Sequence, residues 1–536
     1  MQPAGRSLNN PTVFTPCARN GIFRYYDNWS NGNAFQVTTS GATPRIAMVD
    51  QAGNPVPPKT NPNGTPHNGI LRYASVFGPL LNTPTRPDCS DAIVQGAPWD
   101  DYRTKTDTTG YVKKVLEVMP PVNNFEVGDG LNTAGSRWMK VTRGGTNRFG
   151  FGGANIRKQV NLKIDHNFNS THKINGGWSW EKDSSDYASG AWPFRFPGAA
   201  HRLPQVLTLN FTSTLSPTLL NEARYGMRRT GTNTTPGLNL PGAAGDAARE
   251  FVPNVKGYPI LPQLGFAPRT GTDLGAPGFG TYGGQPNMGS ENGTVRFNGN
   301  ITESTRLFTY ADTVSWTRST HTFKGGVEVR RAASSNSEDV AGNDWSSFPR
   351  AHGGETALAP VQGIDGTNIS GLQGTSTTGN NLAMRGLLVF LTGSLRQVNQ
   401  LYYVGSAKRL DTWDDYLVST QRTRELNQNE MSVFFKDDWK VHRDLTLNLG
   451  VRWDYYGVPW VSSGLTSSLA GGGGALFGYS GRSFQDWMRP GRRGDLTQMI
   501  YVGPDSPNPN LRAWPKDWNN VGPAVGFAWQ VPWFGA

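Results

Sequence analysis

The sequence predicts an all-β chain: an antiparallel sheet forming part of a transmembrane β-barrel, with long irregular loops on one side. Three observations carry this prediction. A two-faced strand pattern recurs, no segment is apolar enough for a spanning helix, and short turns alternate with very long connections. The pattern runs Thr171 to Glu181, Thr320 to Arg330 and Asp444 to Asp454, each a polar turn followed by strict alternation. Side chains alternate sides along a strand, so each copy is a ribbon with one oily and one wet face.

The oily face carries Ile174, Trp178 and Trp180 in the first copy, Phe323, Val327 and Val329 in the second, and Leu447, Leu449, Val451 and Trp453 in the third. These ten are the expected lipid-facing residues. Asn175, Lys324, Glu328, Asn448 and Arg452 lie on the other face and are expected to meet a water-filled lumen. A closed wall with lipid outside and water inside requires this arrangement.

Composition agrees. The chain has 536 residues, of which 36% are hydrophobic and 11% aromatic, with 17 Trp and 66 Gly. Disordered chains are poor in aromatics, so this mixture suits strands with aromatic ends joined by glycine-rich loops. The longest apolar run, Gly386 to Leu391, is far short of the roughly 18 residues a spanning helix needs, whereas a spanning strand needs only about 9–11. The formal charge of +11 raises nucleic acid as a partner. Lys and Arg are scattered among nearly as many acids, however, and no basic helix or recognition motif is present, so nucleic acid is not expected.

Residues 1–145 are rich in Pro, Gly and Asn and read as a loop-rich segment with few strands, the exception being a short helix over Tyr111 to Met119 stopped by Pro120 and Pro121. Residues 146–536 read as the partial barrel. Hairpins are expected at Asn161 to Glu181, Gln205 to Arg229, Arg306 to Arg331 and Met431 to Tyr456, with a further strand from Asn520 to Val531. About four residues close each hairpin, whereas long segments join one hairpin to the next, the asymmetry of short turns and long outer loops in such barrels. Apolar Leu382 to Leu395 and strand-like Leu401 to Val404 are expected to give those segments some structure of their own.

No catalytic group emerges. The seven histidines are dispersed without a metal-ligand motif, and His172, His321 and His442 beside hairpin turns suit an interfacial role better than metal capture. Asp437 and Asp438, being adjacent, point to opposite faces and cannot form a carboxylate pair. Asp129 lacks the acidic spacing of a Ca²⁺ loop, and neither Gly144-Gly145 nor the Gly471 to Gly474 run has the context of a phosphate loop. Cys17 and Cys89 are compatible with one disulfide in an oxidising compartment or with two free thiols in a reducing one. Catalysis, metals and cofactors are therefore not expected.

At Phe434 to Tyr456, with its Asp437-Asp438-Trp439-Lys440 hairpin, the sequence resembles TonB-dependent outer-membrane receptors, particularly the Oar-like group. Asn124 to Gly135, Lys163 to Asn169 and Asn520 to Trp529 add to the likeness, which is spread over roughly residues 120–530. It implies a location in the outer membrane of a Gram-negative-type bacterium, in a barrel of about 22 strands. It also implies import of a solute with energy supplied through TonB. No signal peptide, TonB-contacting segment or plug is visible, and the ending at Val531 to Ala536 is unlike a closing strand, so the sequence reads as an interior portion of a longer receptor. The implied partners are outer-membrane lipid, the TonB complex through a plug outside this chain, and an unidentified small solute, glycan or peptide. The alternative is a secreted β-rich glycan-binding or glycan-active protein, which the Trp, Tyr and Asn content also suits.

Overall fold

The computed structural model describes residues 5–531 except 10–11, 32–36, 39–40, 43–47, 62, 126–127, 143–155, 188–197, 236–239, 256–257, 260, 264–300, 339–349, 353–360, 377, 395–396, 400–403, 413–421 and 471–498. The glycine pair at 144–145, the glycine run at 471–474 and most of the apolar stretch at 401–404 lie outside the described residues.

An eleven-member sheet dominates, and nine long strands form it. These are β1 (Ile156–Asn167), β2 (His172–Tyr187), β3 (Gln205–Ser216), β4 (Leu219–Thr235), β5 (Ile301–Arg318), β6 (His321–Glu338), β7 (Arg422–His442), β8 (Leu445–Tyr456) and β9 (Val521–Trp529). The two short members are Gly198–Arg202, which pairs with both β2 and β4 and so continues the line of β3 past Pro204, and Trp460–Val461 against β7. Every pairing in the sheet is antiparallel and each long strand pairs with its sequence neighbour, giving an up-and-down wall. Among the described residues β1 and β9 do not pair with each other.

Local chemistry explains the tight ends. Asn169 Oδ1 accepts from the Thr171 and His172 amides at 2.9 and 2.7 Å, closing β1 to β2 with a side-chain turn. Ser319 takes φ +54° between β5 and β6. The strands run further from these turns than the alternation signals: β5 and β6 have 18 residues each and β7 has 21. At about 3.3 Å per residue β7 extends roughly 70 Å, more than twice the hydrocarbon thickness.

The described parts of the long segments carry elements of their own. Residues 5–142 join parts of the β4–β5 and β6–β7 connections around one hydrophobic core. Helix α1 (Tyr111–Val118) supplies Val112 and Val115, α2 (Ala243–Phe251) supplies Ala248, and α3 (Gly379–Thr392) supplies Met384, Leu387, Leu388 and Phe390. Phe14 packs edge-on to Phe390 with centroids 5.0 Å apart, and Tyr111 does so to Phe251 at 5.9 Å. The short apolar stretch of the sequence is thus a helix buried on nearly every side, as a helix apolar all round must be.

Gly5–Asn9 pairs with Trp138–Thr142, bringing the two ends of this region together. Thr12–Phe14 pairs with Thr133–Gly135, and Ile22–Tyr26 with Leu71–Ser75. Cys17 and Cys89 form a disulfide across 72 residues, buried beside Ile22. Such a loop closure is worth about 4 kcal/mol through the unfolded chain. By connectivity, all three parts of this body leave the wall from strand ends opposite the short turns, so it forms a cap at one end.

Candidate functional site: the two faces of the wall

Register turns the alternation of single strands into continuous surfaces. Leu162, Trp178, Leu207 and Met227 stand in one row across β1 to β4, joined by direct cross-strand pairing. On the same face a second row, Val327, Val433 and Trp453, crosses β6 to β8 and meets Asp312 on β5, and Gly325, Phe435, Val451 and Pro523 form another from β6 to β9, one step nearer the turns. All ten residues expected on the oily face lie on this one surface. Its side chains are exposed: Val451 retains 44% of its accessible area, Phe527 72% and Val525 82%. Among the described residues no second layer covers them. A contiguous apolar surface of this extent marks a protein–protein or membrane interaction site.

Aromatic rings mark the turn-side border of the band. His321 stacks between Phe323 and Trp439 with centroids 5.4 and 5.2 Å away, and His172 stacks on Phe211 at 5.9 Å. At the opposite border Tyr455 lies against Trp518 at 4.0 Å, while Trp453 Nε1 donates to the Trp518 carbonyl at 2.8 Å. Rings with a polar edge suit the boundary between hydrocarbon and headgroups. Asp437 interrupts the band near its turn-side edge, where its Oδ2 lies 2.7 Å from His321 Nδ1.

The opposite surface is ionic. Arg330 Nε sits 2.7 Å from Glu328 and its Nη1 3.7 Å from Glu430, while Arg452 donates from Nε to both oxygens of Asp454 at 3.0 Å. Lys436 donates to Asp438 at 2.8 Å, and Asn210 to Asn175 at 2.8 Å. Asn175, Lys324, Glu328, Asn448 and Arg452 all lie here. Arg330 and Asp454 stand two residues beyond Glu328 and Arg452 on the same strands, where the alternation of the sequence puts them, whereas Glu430 on β7 was not singled out by the sequence. Gly326 is required on this face: a Cβ there would stand 2.7 Å from both the Asp312 carbonyl oxygen and the Phe434 ring.

In the cap, polar groups serve as structural ties. Buried Asp129 accepts from the Asn132 and Thr133 amides at 2.7 and 2.9 Å and from Asn132 Nδ2 at 2.7 Å, so it anchors a turn. Burial alone would raise the Asp27 pKa, but Arg72 at 2.5 Å and Asn68 at 2.8 Å hold it below the usual carboxylate value. Asp91 is brought down to about 2 by the Thr85 hydroxyl and by the Thr85 and Arg86 amides. Desolvation pushes Tyr25 and Tyr26 up to about 12. Among the described residues no group of three or more His, Cys, Asp or Glu could hold a metal ion.

Over residues 2–534 the sequence matches the family described as outer membrane beta barrel domain. The chain belongs to that family. This outer membrane beta barrel domain is accordingly a protein of the outer membrane. No curated protein matches it. Among solved structures it is similar to FpvA of P. aeruginosa bound to heterologous pyoverdines (7% identity, TM-score 0.29, covering 70% of this chain and 34% of that one). The ferric-catecholate import receptor Fiu of E. coli gives 10%, 0.28, 70% and 40%, and the outer membrane transporter YddB of Escherichia coli 10%, 0.29, 82% and 57%. The chain therefore spans between about a third and just over half of those proteins. The family match, not these likenesses, carries the assignment.

Proposed function

We propose that this outer membrane beta barrel domain is the partial wall, residues 146–536, and the outer cap, built on residues 1–145, of a TonB-dependent receptor of the Oar-like group. The apolar face meets lipid, the ionic face lines the lumen, and the cap on the long-loop side takes up a solute, glycan or peptide from outside. Import would draw energy from the TonB complex through a plug supplied by chain beyond the residues described here. The single observation that carries this reading is the uncovered apolar surface running across all nine strands, bordered by rings and backed by an ion lattice. Lipid-facing residues are then Ile174, Trp178, Trp180, Phe323, Val327, Val329, Leu447, Leu449, Val451 and Trp453. The same surface disfavours the secreted glycan-binding alternative, because a soluble sandwich buries such a face between layers.

Gel migration of the full-length protein with and without boiling tests the reading. A membrane barrel requires detergent and shifts on boiling. A protein that stays soluble without detergent and migrates identically in both lanes is not one.

A further inference from the structure

Beyond the apolar band, on the same face and toward the long-loop side, the next position of six successive strands is Lys158, Lys182, Gln205, Arg229, Arg306 and Arg331. Each lies two residues beyond an apolar residue of the band: Val160, Trp180, Leu207, Met227, Phe308 and Val329. Two of the cross-strand pairs set like charges directly opposite each other, Lys158 with Lys182 and Arg229 with Arg306. Facing like charges destabilise a sheet unless an anion lies between them. Among the described residues Lys158, Lys182, Arg229 and Arg331 have no acidic partner, and only Glu425, 2.5 Å from Arg306, touches the belt.

Two further features centre on Arg306. A cleft of about 370 Å³ is lined by Arg306, Phe308, Tyr310, Arg331, Glu425 and Asn427. Within it the Nε of Arg306 is buried and makes no hydrogen bond, although Glu425 occupies the other side of the guanidinium. A buried donor left unpaired costs about 1–3 kcal/mol, so its retention beside an apolar ledge points to a missing acceptor. The acceptor must be anionic, to satisfy facing cations, and attached to an apolar body, because Phe308 and Tyr310 lead from the cleft onto the band.

We propose that this belt is a binding site for the phosphate of a membrane lipid, with the headgroup seated between Arg229, Arg306 and Arg331 and the acyl chains lying over Phe308 and Tyr310. Guanidinium groups bind phosphate through paired donors, and basic clusters at the hydrocarbon border recruit phosphorylated lipids. The site rests on the lipid-facing reading of the apolar surface given above.

The test uses the full-length protein in neutral detergent micelles, titrated with phosphatidic acid, with diacylglycerol that lacks only the phosphate, or with inorganic phosphate, and bound lipid counted by native mass spectrometry. Phosphatidic acid should bind in preference to diacylglycerol, inorganic phosphate should not displace it at equal concentration, and Arg229→Gln with Arg331→Gln should weaken it about tenfold. Arg228→Gln, on the opposite face, should leave binding unchanged. Quenching of tryptophan fluorescence by brominated lipid reports the apolar face independently. Quenching without a phosphate preference, with equal displacement by inorganic phosphate, or with the preference retained in the double variant overturns the site while the lipid-facing surface stands. Absence of quenching overturns both.

Discussion

His321 and Asp437 form a hydrogen-bonded pair, Nδ1 to Oδ2 at 2.7 Å, in the apolar band, whose other described acid, Asp312, accepts from Asn221 at 2.6 Å. The imidazole is held flat between Phe323 and Trp439, so its position is fixed by packing on both sides. The other carboxylate oxygen of Asp437 is buried without a partner, which makes His321 its main satisfaction. Removing one member should therefore cost more than removing both. His321→Leu is expected to lower stability by about 1–3 kcal/mol, and the double variant with Asp437→Leu to recover most of that loss. Urea unfolding of the detergent-solubilised protein, followed by tryptophan fluorescence, measures the cycle. Additive losses would show the two groups to be independent.

Glycine matters on the ionic face for the same reason of space. Gly326→Val would drive a side chain into the Asp312 carbonyl and the Phe434 ring, and should cost about 1–3 kcal/mol. At Gly177 the nearest atom to a new Cβ is the Thr208 hydroxyl at 3.5 Å, so Gly177→Ala should be close to neutral. The fraction of heat-modifiable protein recovered from membranes separates the two, and equal recovery would contradict the packing described.

Reducing the Cys17–Cys89 bridge should loosen the cap and spare the wall, because the bridge closes a 72-residue separation inside the N-terminal region alone. Cys17→Ser with Cys89→Ser is expected to lose about 4 kcal/mol of cap stability. Limited proteolysis should then cut within residues 1–142 while the wall strands stay protected. Cleavage spread evenly over wall and cap would show that the two share one cooperative unit.

Acid should act on the cap in a defined direction. Asp27 and Asp91 both titrate lower in the fold than in a free chain, Asp91 at about 2 against the ordinary 3.8. A carboxyl depressed by folding stabilises fully above its unfolded value and loses that contribution as pH falls through the folded one. Cap stability should thus be level above about pH 5 and decline between about pH 4 and pH 2. Asp91→Asn should flatten part of that decline, as read from circular dichroism melts across pH, and an unchanged slope would remove Asp91 from the account.

How much of this was legible in the sequence follows from where each signal resides. Strands near the turns announce themselves because Ile174, Trp178 and Trp180 alternate with Asn175, Gly177 and Ser179 within one segment. The far halves do not. Thr230 to Thr235 and Ala333 to Glu338 are small or polar on both faces, and only pairing with a neighbour already in place makes them strands. The cap was hidden for a different reason. Phe14, Ala248 and Phe390 share one core yet each lies more than a hundred residues from the next, so no local window contains the pattern. The cationic belt escaped because each strand contributes one residue, which only the register aligns.

Sidedness is the claim on which the rest depends, and paired charge insertion on β8 tests it most directly. Val451 lies within the apolar surface, and its neighbour three residues away, Asn448, lies on the ionic one opposite Asp438 and Gly526. In the full-length protein Val451→Arg should impair membrane assembly with a penalty of about 2–4 kcal/mol, while Asn448→Lys should assemble nearly as well as the unmodified chain. Equal tolerance of the two charges, or greater damage from Asn448→Lys, would contradict the assignment of lipid and lumen faces.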